Sequence, residues 1–486
     1  MVTLKPRILN TGIILLCSTL AVLFAVLQGP YPVDDTFIHL RIVKNFILHG
    51  QLVYNLNEPT FTSSAPAWNI VLGVIGKVTG VHDNSTFLPF ARTITALLTV
   101  LAAVLLLGYS HLKTKVVVGL ASAFYLLDPY TSSTISCAME QSLFMVCILS
   151  SLVLLELDRA KGEIGFLILA GFCLMVAFFS RIETIVVLFV VVLNMLKKKE
   201  LTKSLILVGS FALFTVPLLC ICRIYYGSYL PVAFFVKTTD QRGHVPFTDF
   251  VTMKELLRLF GQVYVIPIMT IVAVSLAFER KKLIENVKMH DVSIAISILM
   301  FLAYLGFLKE KGISSRYLMN FSPFIWIVIA ATIASLENTK LRRGTAIALM
   351  VFLLALNLIS IPIRVERGRR LEIPDIEIGK WINQHTPPES VILSGRLGYV
   401  GFYSDRKVYD LGLVSRPRES VVTGVLHRSG RLDVYGKIDE YKIDYIVGGR
   451  ELSESVRRDV GLGWVFAAQA GGNGQPRGVY RLARDR

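Results

Sequence analysis

The stretch 31-YPVDDTFIHL-40 places two adjacent carboxylates, Asp34 and Asp35, directly after an apolar run at 8–28. An apolar run of about twenty residues is long enough to cross a bilayer as a helix. An acidic residue at the start of the next helix would bind free backbone N–H groups and suit the helix dipole, and one residue is enough for that. Two adjacent carboxylates beside a membrane therefore indicate either a helix cap or chemistry at the membrane surface.

The composition is typical of a membrane protein that crosses the bilayer many times. Of the 486 residues, 53% are hydrophobic and only 18% are charged, and the mean hydropathy is +0.58. The formal net charge is +16, but the basic residues cluster in short loops between apolar runs. That clustering follows the positive-inside pattern of membrane proteins and requires no nucleic acid partner.

Apolar runs predict a polytopic α-helical membrane protein with about eleven spans. The predicted spans are roughly 8–28, 86–109, 114–128, 138–156, 163–180, 182–196, 203–223, 258–278, 290–308, 316–336 and 343–363. A further apolar stretch at 66–80 is short, which favours a re-entrant or interfacial helix over a full span. The lysine and arginine runs then fall in loops on one side of the membrane, so we expect a cytoplasmic N-terminus and an extracytoplasmic C-terminus.

These patterns divide the chain into two predicted domains. Residues 1–364 form the transmembrane domain, within which 30–85 is an external loop with interfacial helices. Residues 365–486 are polar and form a predicted extracytoplasmic α/β domain. Its helix is expected at 375–389, followed by short β-type runs at 391–393, 407–414, 443–449, 463–469 and 478–482. We expect the protein to reside in the plasma (inner) membrane.

The residues after the aspartates form a loosely amphipathic helix at 36–50. Its apolar side carries Leu40 and Val43, and its polar side carries Arg41 and Lys44. A helix lying in the membrane interface would bring those two cations to the depth of lipid phosphates.

Ionisable residues also occur where apolar runs meet. Arg181 and Glu183 separate two runs with almost no polar spacer, and charges at such a position are costly and hence candidates for function. An internal Arg–Glu pair that orients two spans is the simpler interpretation. Glu140 opens another apolar run, where it would suit the helix dipole.

A basic, aromatic-rich loop follows at 222–242 and includes Tyr226 and Lys237. Rings of this kind stack on sugar faces, and cations hold phosphate oxygens. An aromatic belt at the membrane interface would show the same composition.

The order and spacing of these elements resemble the GT-C superfamily of membrane glycosyltransferases, which includes the protein O-mannosyltransferases. The closest resemblance is to its arabinofuranosyltransferase-like branch. The matching elements of the first loop are Asp34-Asp35, Gly50, Leu52 to Asn55, Glu58-Pro59 and Thr62 to Trp68. Later matches are Ala138 to Gln141, Arg181 to Glu183, Tyr225 to Gly227, Leu230-Pro231, Lys237 and the tail element 398-GYVGFYSDRKVYDLGL-413.

The resemblance implies an inverting transfer of a sugar from a polyprenyl-phosphate donor to an extracytoplasmic glycan, lipid or protein acceptor. Asp34 would be the catalytic base, and Asp35 would assist it or help to hold a divalent cation, whose involvement the sequence leaves open. The donor phosphate would contact Arg181, Lys237 and Arg41. The remaining substrate-binding candidates are Glu140, Glu183 and Tyr226.

Two other classes of function are compatible with the same residues. A transporter or flippase for a lipid-linked or anionic substrate would use the ionisable residues as a relay, although such proteins usually contain inverted repeats, and none is visible here. A non-enzymatic membrane protein whose tail binds carbohydrate or a partner protein would be indifferent to replacement of Asp34.

Overall fold

A computed structural model of the chain describes residues 6–29, 33–108, 115–234, 264, 291–307, 319–336, 338–410, 441–449, 464–470 and 477–482. Its contacts group into two compact units. The first comprises residues 1–28, 92–217 and 245–362, and the second comprises 29–91, 218–244 and 363–486. The sequence-based division at 364/365 assigns residues 29–91 and 218–244 to the transmembrane domain, whereas the contacts group them with the tail. The boundary at 364/365 stays a prediction.

The described part of the chain is mostly helical. Helices of the first half are α1 (Pro6–Leu27), α2 (Asp34–His49), α3 (Pro66–Thr79), α4 (Asn84–Gly108), α5 (Lys115–Leu127), α6 (Pro129–Cys137), α7 (Gln141–Lys161), α8 (Ile164–Ser180), α9 (Thr184–Lys197) and α10 (Leu201–Tyr226). They are followed by α11 (Asp291–Phe307), α12 (Ser322–Ser335) and α13 (Thr339–Arg367). A π-helical turn, Gly368–Glu372, then leads into α14 (Ile373–His385).

Each predicted span within the described residues coincides with a helix, and the span predicted at 258–278 lies outside them. Three described helices are long and apolar enough to cross a membrane, namely Asn84–Gly108, Leu201–Tyr226 and the continuous stretch Thr339–His385. A fourth crossing is formed if α6 and α7 count as one span broken by a bend of 119°. The number of eleven spans stays a prediction.

Local sequence explains where several of these helices begin and end. The side chain of Asp128 accepts a hydrogen bond from the backbone N–H of Tyr130, and Pro129 fills the first position of α6, where no N–H is required. Gly50 ends α2 in the left-handed conformation that glycine adopts without steric cost. These signals set the start of α6 and the end of α2.

In the first unit, helices pack through small residues. A Cβ atom on Gly171 of α8 would lie 2.6 Å from Cβ of Ser210 and 2.8 Å from the backbone nitrogen of Phe211, both in α10. Such close backbone approach is typical of helix pairs in membranes, where small side chains let the helices touch. Helix α6 is buried along its whole length although it is rich in serine and threonine.

The second unit contains a five-stranded mixed sheet. Its strands are β1 (Val391–Ser394), β2 (Lys407–Asp410), β3 (Tyr445–Gly449), β4 (Trp464–Ala470) and β5 (Arg477–Leu482), and their order is β2-β1-β3-β5-β4. Strand β1 pairs in parallel with β2 and β3, and β5 pairs antiparallel with β3 and β4. A short helix, α15 (Leu397–Ser404), connects β1 to β2.

The core of the second unit is built from both the first loop and the tail. Ile42 of α2 and Tyr54 pack in the same buried cluster as Ile392, Val408 and other apolar residues of the sheet and its helices. The loop 29–91 is therefore part of one hydrophobic core with the C-terminal sheet. Within this unit α3 packs on α2, where Gly73 and Gly76 give room to Phe46 and Ile47.

Candidate active site

The carboxylate of Asp34 lies at the first turn of α2 and faces the N-terminus of α15. Its Oδ2 accepts a hydrogen bond from the backbone N–H of Gly398 at 3.1 Å, and its Oδ1 accepts one from Tyr399 at 3.0 Å. Each carboxylate oxygen offers two lone pairs, so each can accept a further hydrogen bond. The two N–H donors fix the orientation of the group.

The pKa of Asp34 is raised from 3.8 to about 6, mainly by burial and to a smaller extent by the nearby charge of Asp35. The two backbone N–H groups and the positive charge of Arg396 oppose this change. Desolvation dominates because removing the carboxylate from water disfavours its charged form. The group is thus mostly ionised at neutral pH but is a stronger base than an ordinary aspartate.

Arg41 is buried, and its guanidinium is bonded within the second unit. It donates to the carbonyl oxygens of Tyr54 at 2.7 Å and Arg406 at 2.5 Å, to that of Gly401, and to Oδ1 of Asn55 at 3.3 Å. These bonds give Arg41 a structural role, which the geometry favours over the predicted contact with the donor phosphate. Lys44 is also buried and pairs with Asp405.

The polar side of α2 is therefore packed against protein, whereas the sequence pattern predicts that it faces lipid headgroups. Arg41, Lys44 and Asn45 are all less than a tenth exposed. The physical reason is that their polar ends find backbone carbonyls and a carboxylate in the loop 53–55 and in α15 and the turn after it.

Tyr226 also contacts the first loop. Its hydroxyl donates to the carbonyl oxygen of Leu52 at 2.7 Å, and its ring stacks on Phe61 with ring centroids 4.6 Å apart. The backbone N–H of Val232 adds a bond to the carbonyl oxygen of Phe61 at 2.8 Å. Lys237, the other candidate from this part of the sequence, lies outside the described residues.

The first unit contains a separate charged cluster. Arg181, at the end of α8, donates from Nη1 to Glu140 at 2.7 Å and from Nη2 to Glu183 at 2.6 Å. The side chains of Glu140 and Arg181 are 2% and 10% exposed. The geometry has the form of an internal Arg–Glu network that ties the break between α6 and α7 to the α8–α9 turn, the simpler of the two interpretations of the sequence.

One buried carboxylate in the first unit was not singled out by the sequence. Oδ2 of Asp128 accepts hydrogen bonds from Tyr264 at 2.8 Å, Ser322 at 2.6 Å and Nε1 of Trp326 at 2.9 Å. A buried polar group is stable only when it is well bonded, and Asp128 meets that condition. The Asp-Pro pair is the only local signal for it in the sequence, and that pair indicates a helix start alone.

Among the residues that the structure describes, no group of three or more His, Cys, Asp or Glu side chains is arranged to hold a metal ion. Asp35 is partly buried at the start of α2. Binding of a divalent cation by Asp35 therefore stays a prediction from the sequence, without further support among the described residues.

Comparison with solved structures gives matches along nearly the whole chain. ArnT from Cupriavidus metallidurans in the apo state matches with a TM-score of 0.66 and 13% sequence identity, over 97% of this chain and 98% of that one. The same protein bound to undecaprenyl phosphate matches with a TM-score of 0.64, 12% identity and the same coverage. The apo oligosaccharyltransferase of Archaeoglobus fulgidus matches with a TM-score of 0.62 and 10% identity, over 98% of this chain and 74% of that chain.

The chain thus has the fold of ArnT and of the oligosaccharyltransferase. The resemblance stated from the sequence is thus confirmed at the level of the fold, and the chain is a membrane protein. Comparison with curated protein sequences finds no match. Residues 362–482 match a family model described as a domain of unknown function, DUF8728, and this range includes the sheet of the second unit.

Proposed function

We propose that this chain is an inverting glycosyltransferase of the GT-C superfamily, which moves a sugar from a polyprenyl-phosphate donor to an extracytoplasmic glycan, lipid or protein acceptor. The observation that carries the proposal is the Asp34 carboxylate, which is held by two backbone N–H groups and has a pKa raised to about 6. An oriented, partly desolvated carboxylate of this kind suits a general base.

In the proposed reaction, an acceptor hydroxyl approaches a remaining lone pair of Asp34. The carboxylate takes the hydroxyl proton while the oxygen forms a bond to the anomeric carbon of the sugar. The bond from that carbon to the phosphate oxygen breaks, and polyprenyl phosphate leaves with the electron pair. A single displacement inverts the anomeric centre.

The donor class is supported by what related folds bind. The structural neighbours include ArnT bound to undecaprenyl phosphate and an Archaeoglobus fulgidus oligosaccharyltransferase in complex with dolichol-phosphate. The leaving phosphate requires positive charge nearby, and Lys237 is the proposed source. Arg41 and Arg181 are omitted from this role because each guanidinium is already bonded within its own unit.

The test is a transfer assay in proteoliposomes with a panel of radiolabelled polyprenyl-phosphate sugars. Wild type, Asp34→Asn and Asp35→Asn are compared for both turnover and donor binding. We expect wild type to transfer one of the sugars, and Asp34→Asn to lose turnover by about a thousandfold or more while it still binds the donor. Equal turnover in wild type and Asp34→Asn would overturn the assignment of the base.

A transporter or flippase is the second candidate, and one observation favours it. The bend of 119° between α6 and α7 contains Glu140, and broken helices with polar groups are used by transporters at their binding sites. Movement of a fluorescent polyprenyl-phosphate sugar across proteoliposomes, in the absence of any acceptor and with Asp34→Asn as active as wild type, would support that alternative.

A further inference from the structure

We propose that α15 is a positioning element for Asp34, and that the first-loop segment 52–58 binds α15 and the strand after it and so holds the helix in place. This inference rests on the proposed function, in which Asp34 is the catalytic base. It assigns a role to two sequence elements, 52-LVYNLNE-58 and 398-GYVG-401, that the transfer reaction itself does not use. All of these residues belong to the second unit.

The first argument is the geometry at the carboxylate. Gly398 and Tyr399 are in the first turn of α15, where backbone N–H groups have no partner inside the helix. Both point at Asp34, one to each carboxylate oxygen. Two donors spread over both oxygens prevent rotation of the group, and the partial positive charge of the helix start favours an anion there.

The second argument is the close approach of the two backbones. A Cβ atom on Gly398 would lie 1.8 Å from the carbonyl oxygen of Asp34, and one on Gly401 would lie 1.8 Å from the hydroxyl of Tyr54. The two glycines are three residues apart, so they share one face of α15. Only residues without a side chain fit at this face, and the position of α15 relative to Asp34 depends on them.

The third argument is the set of bonds that hold the two ends of α15. The hydroxyl of Tyr54 donates to the carbonyl oxygen of Leu397 at 2.5 Å, at the start of the helix. Beyond its end, the side-chain amide of Asn55 donates to the carbonyl of Val408 and accepts from its N–H, each at 3.1 Å. Glu58 accepts a hydrogen bond from Tyr409 at 2.7 Å.

Aromatic packing completes the contact. Phe37 of α2 lies with its ring centroid 4.8 Å from that of Tyr399, 5.1 Å from that of Phe402 and 5.2 Å from that of Tyr403. Aromatic pairs at these distances add to the free energy gained by burial alone. Phe37 is three residues after Asp34, so the same packing fixes the first turn of α2.

The test compares two glycine variants of the same connection. Gly398→Ala places a methyl group against the backbone of Asp34, whereas Gly395→Ala, three residues earlier, meets no atom within 4 Å. Both are measured in proteoliposomes for kcat, for KM of the polyprenyl-phosphate sugar that wild type turns over, and for binding of that sugar. Thermal unfolding in detergent is recorded for each protein.

We expect Gly398→Ala to lower kcat by about 100-fold, because a displacement of about 1 Å at a catalytic group has an effect of that size. Its KM and donor binding should stay within about threefold of wild type. Gly395→Ala should behave like wild type. If Gly398→Ala folds and has the wild-type kcat while Asp34→Asn is inactive, the inference about α15 is wrong. The proposed function would still hold in that case.

If Gly398→Ala does not fold, Tyr54→Phe decides the question. It removes the hydrogen bond to Leu397 without adding bulk, and we expect kcat to fall by about threefold to tenfold with donor binding unchanged. Unchanged kcat in Tyr54→Phe would then overturn the inference. Activity in Asp34→Asn would instead contradict the proposed function itself.

Discussion

The carboxylate of Asp34 accepts a hydrogen bond from the backbone N–H of Tyr399, which lies 365 residues further along the chain. The residue proposed as the base is thus held by the C-terminal part of its own unit. The C-terminal part of the second unit is consequently part of the scaffold of the site.

The pH dependence of transfer follows from the raised pKa of Asp34. A general base works only in its deprotonated form, so activity is present above the folded-state pKa of about 6 and is lost as the pH falls through it. We expect kcat/KM to drop about tenfold per pH unit below that value, measured between about pH 4.5 and 8. Asp83→Asn, which alters an exposed aspartate, is the control and should leave the profile unchanged. A profile that stays flat down to about pH 4.5 would contradict this role for Asp34.

The Glu140–Arg181 pair should contribute strongly to stability. Both side chains are buried, and removing Arg181 leaves the Glu140 carboxylate without the guanidinium that it binds. We expect Arg181→Ala to destabilise the protein by about 3 kcal/mol, and the double variant with Glu140→Ala to cost less than the sum of the single variants. Thermal unfolding in detergent measures this. The exposed pair Glu366–Arg370 is the control, and breaking it should cost about 0.5 kcal/mol. Strict additivity at Glu140 and Arg181 would show that the pair is not coupled.

Gly171 should be essential to the packing of α8 on α10. Its missing side chain lets the backbone of Phe211 approach, so Gly171→Ala forces the two helices apart. We expect it to lower the melting temperature in detergent by several degrees, in line with about 1–3 kcal/mol for overpacking. Gly165→Ala in the same helix meets no atom within 4 Å and is the matched control. Equal melting temperatures for the two variants would contradict the close packing.

The orientation in the membrane can be tested with single cysteines in a background where the native cysteines are replaced by serine. Lys198 and Glu389 are both exposed in the structure. Because lysine runs favour the cytoplasm, Glu389→Cys should react with a membrane-impermeant maleimide in intact cells, and Lys198→Cys only after permeabilisation. The opposite labelling pattern would invert the predicted topology.

The helices of this protein were predictable because their signal is local. A run of apolar residues between polar breaks sets the position of a helix within a few residues, as for α8 at Ile164–Ser180 against the predicted 163–180. The short β-type runs of the tail likewise coincide with strands wherever the structure describes them. The strand expected at 407–414 is described only as far as Asp410.

The contacts of the candidate site were not predictable in the same way. The pattern of apolar residues in α2 assigns Arg41 and Leu40 to opposite faces of the helix. The same pattern is compatible with a polar face that contacts lipid headgroups and with one that packs against another part of the chain. The partners of Arg41 at Gly401 and Arg406 are more than 350 residues away, and no local pattern encodes such a pairing. The two glycines of 398-GYVG-401 were the available signal, since a pair three residues apart on a short helix is typical of close packing.

The shared core of the first loop and the tail has a consequence for biosynthesis. Ile42 and Tyr54 are made near the beginning of translation, but their partners Ile392 and Val408 emerge only near its end. Chains elongate at roughly 5–20 residues per second, so these apolar side chains wait for tens of seconds beside the membrane before they can be covered. Contacts so distant in sequence form slowly, so the apolar side chains of the first loop stay uncovered until the tail has been synthesised, and uncovered apolar surface is prone to aggregate.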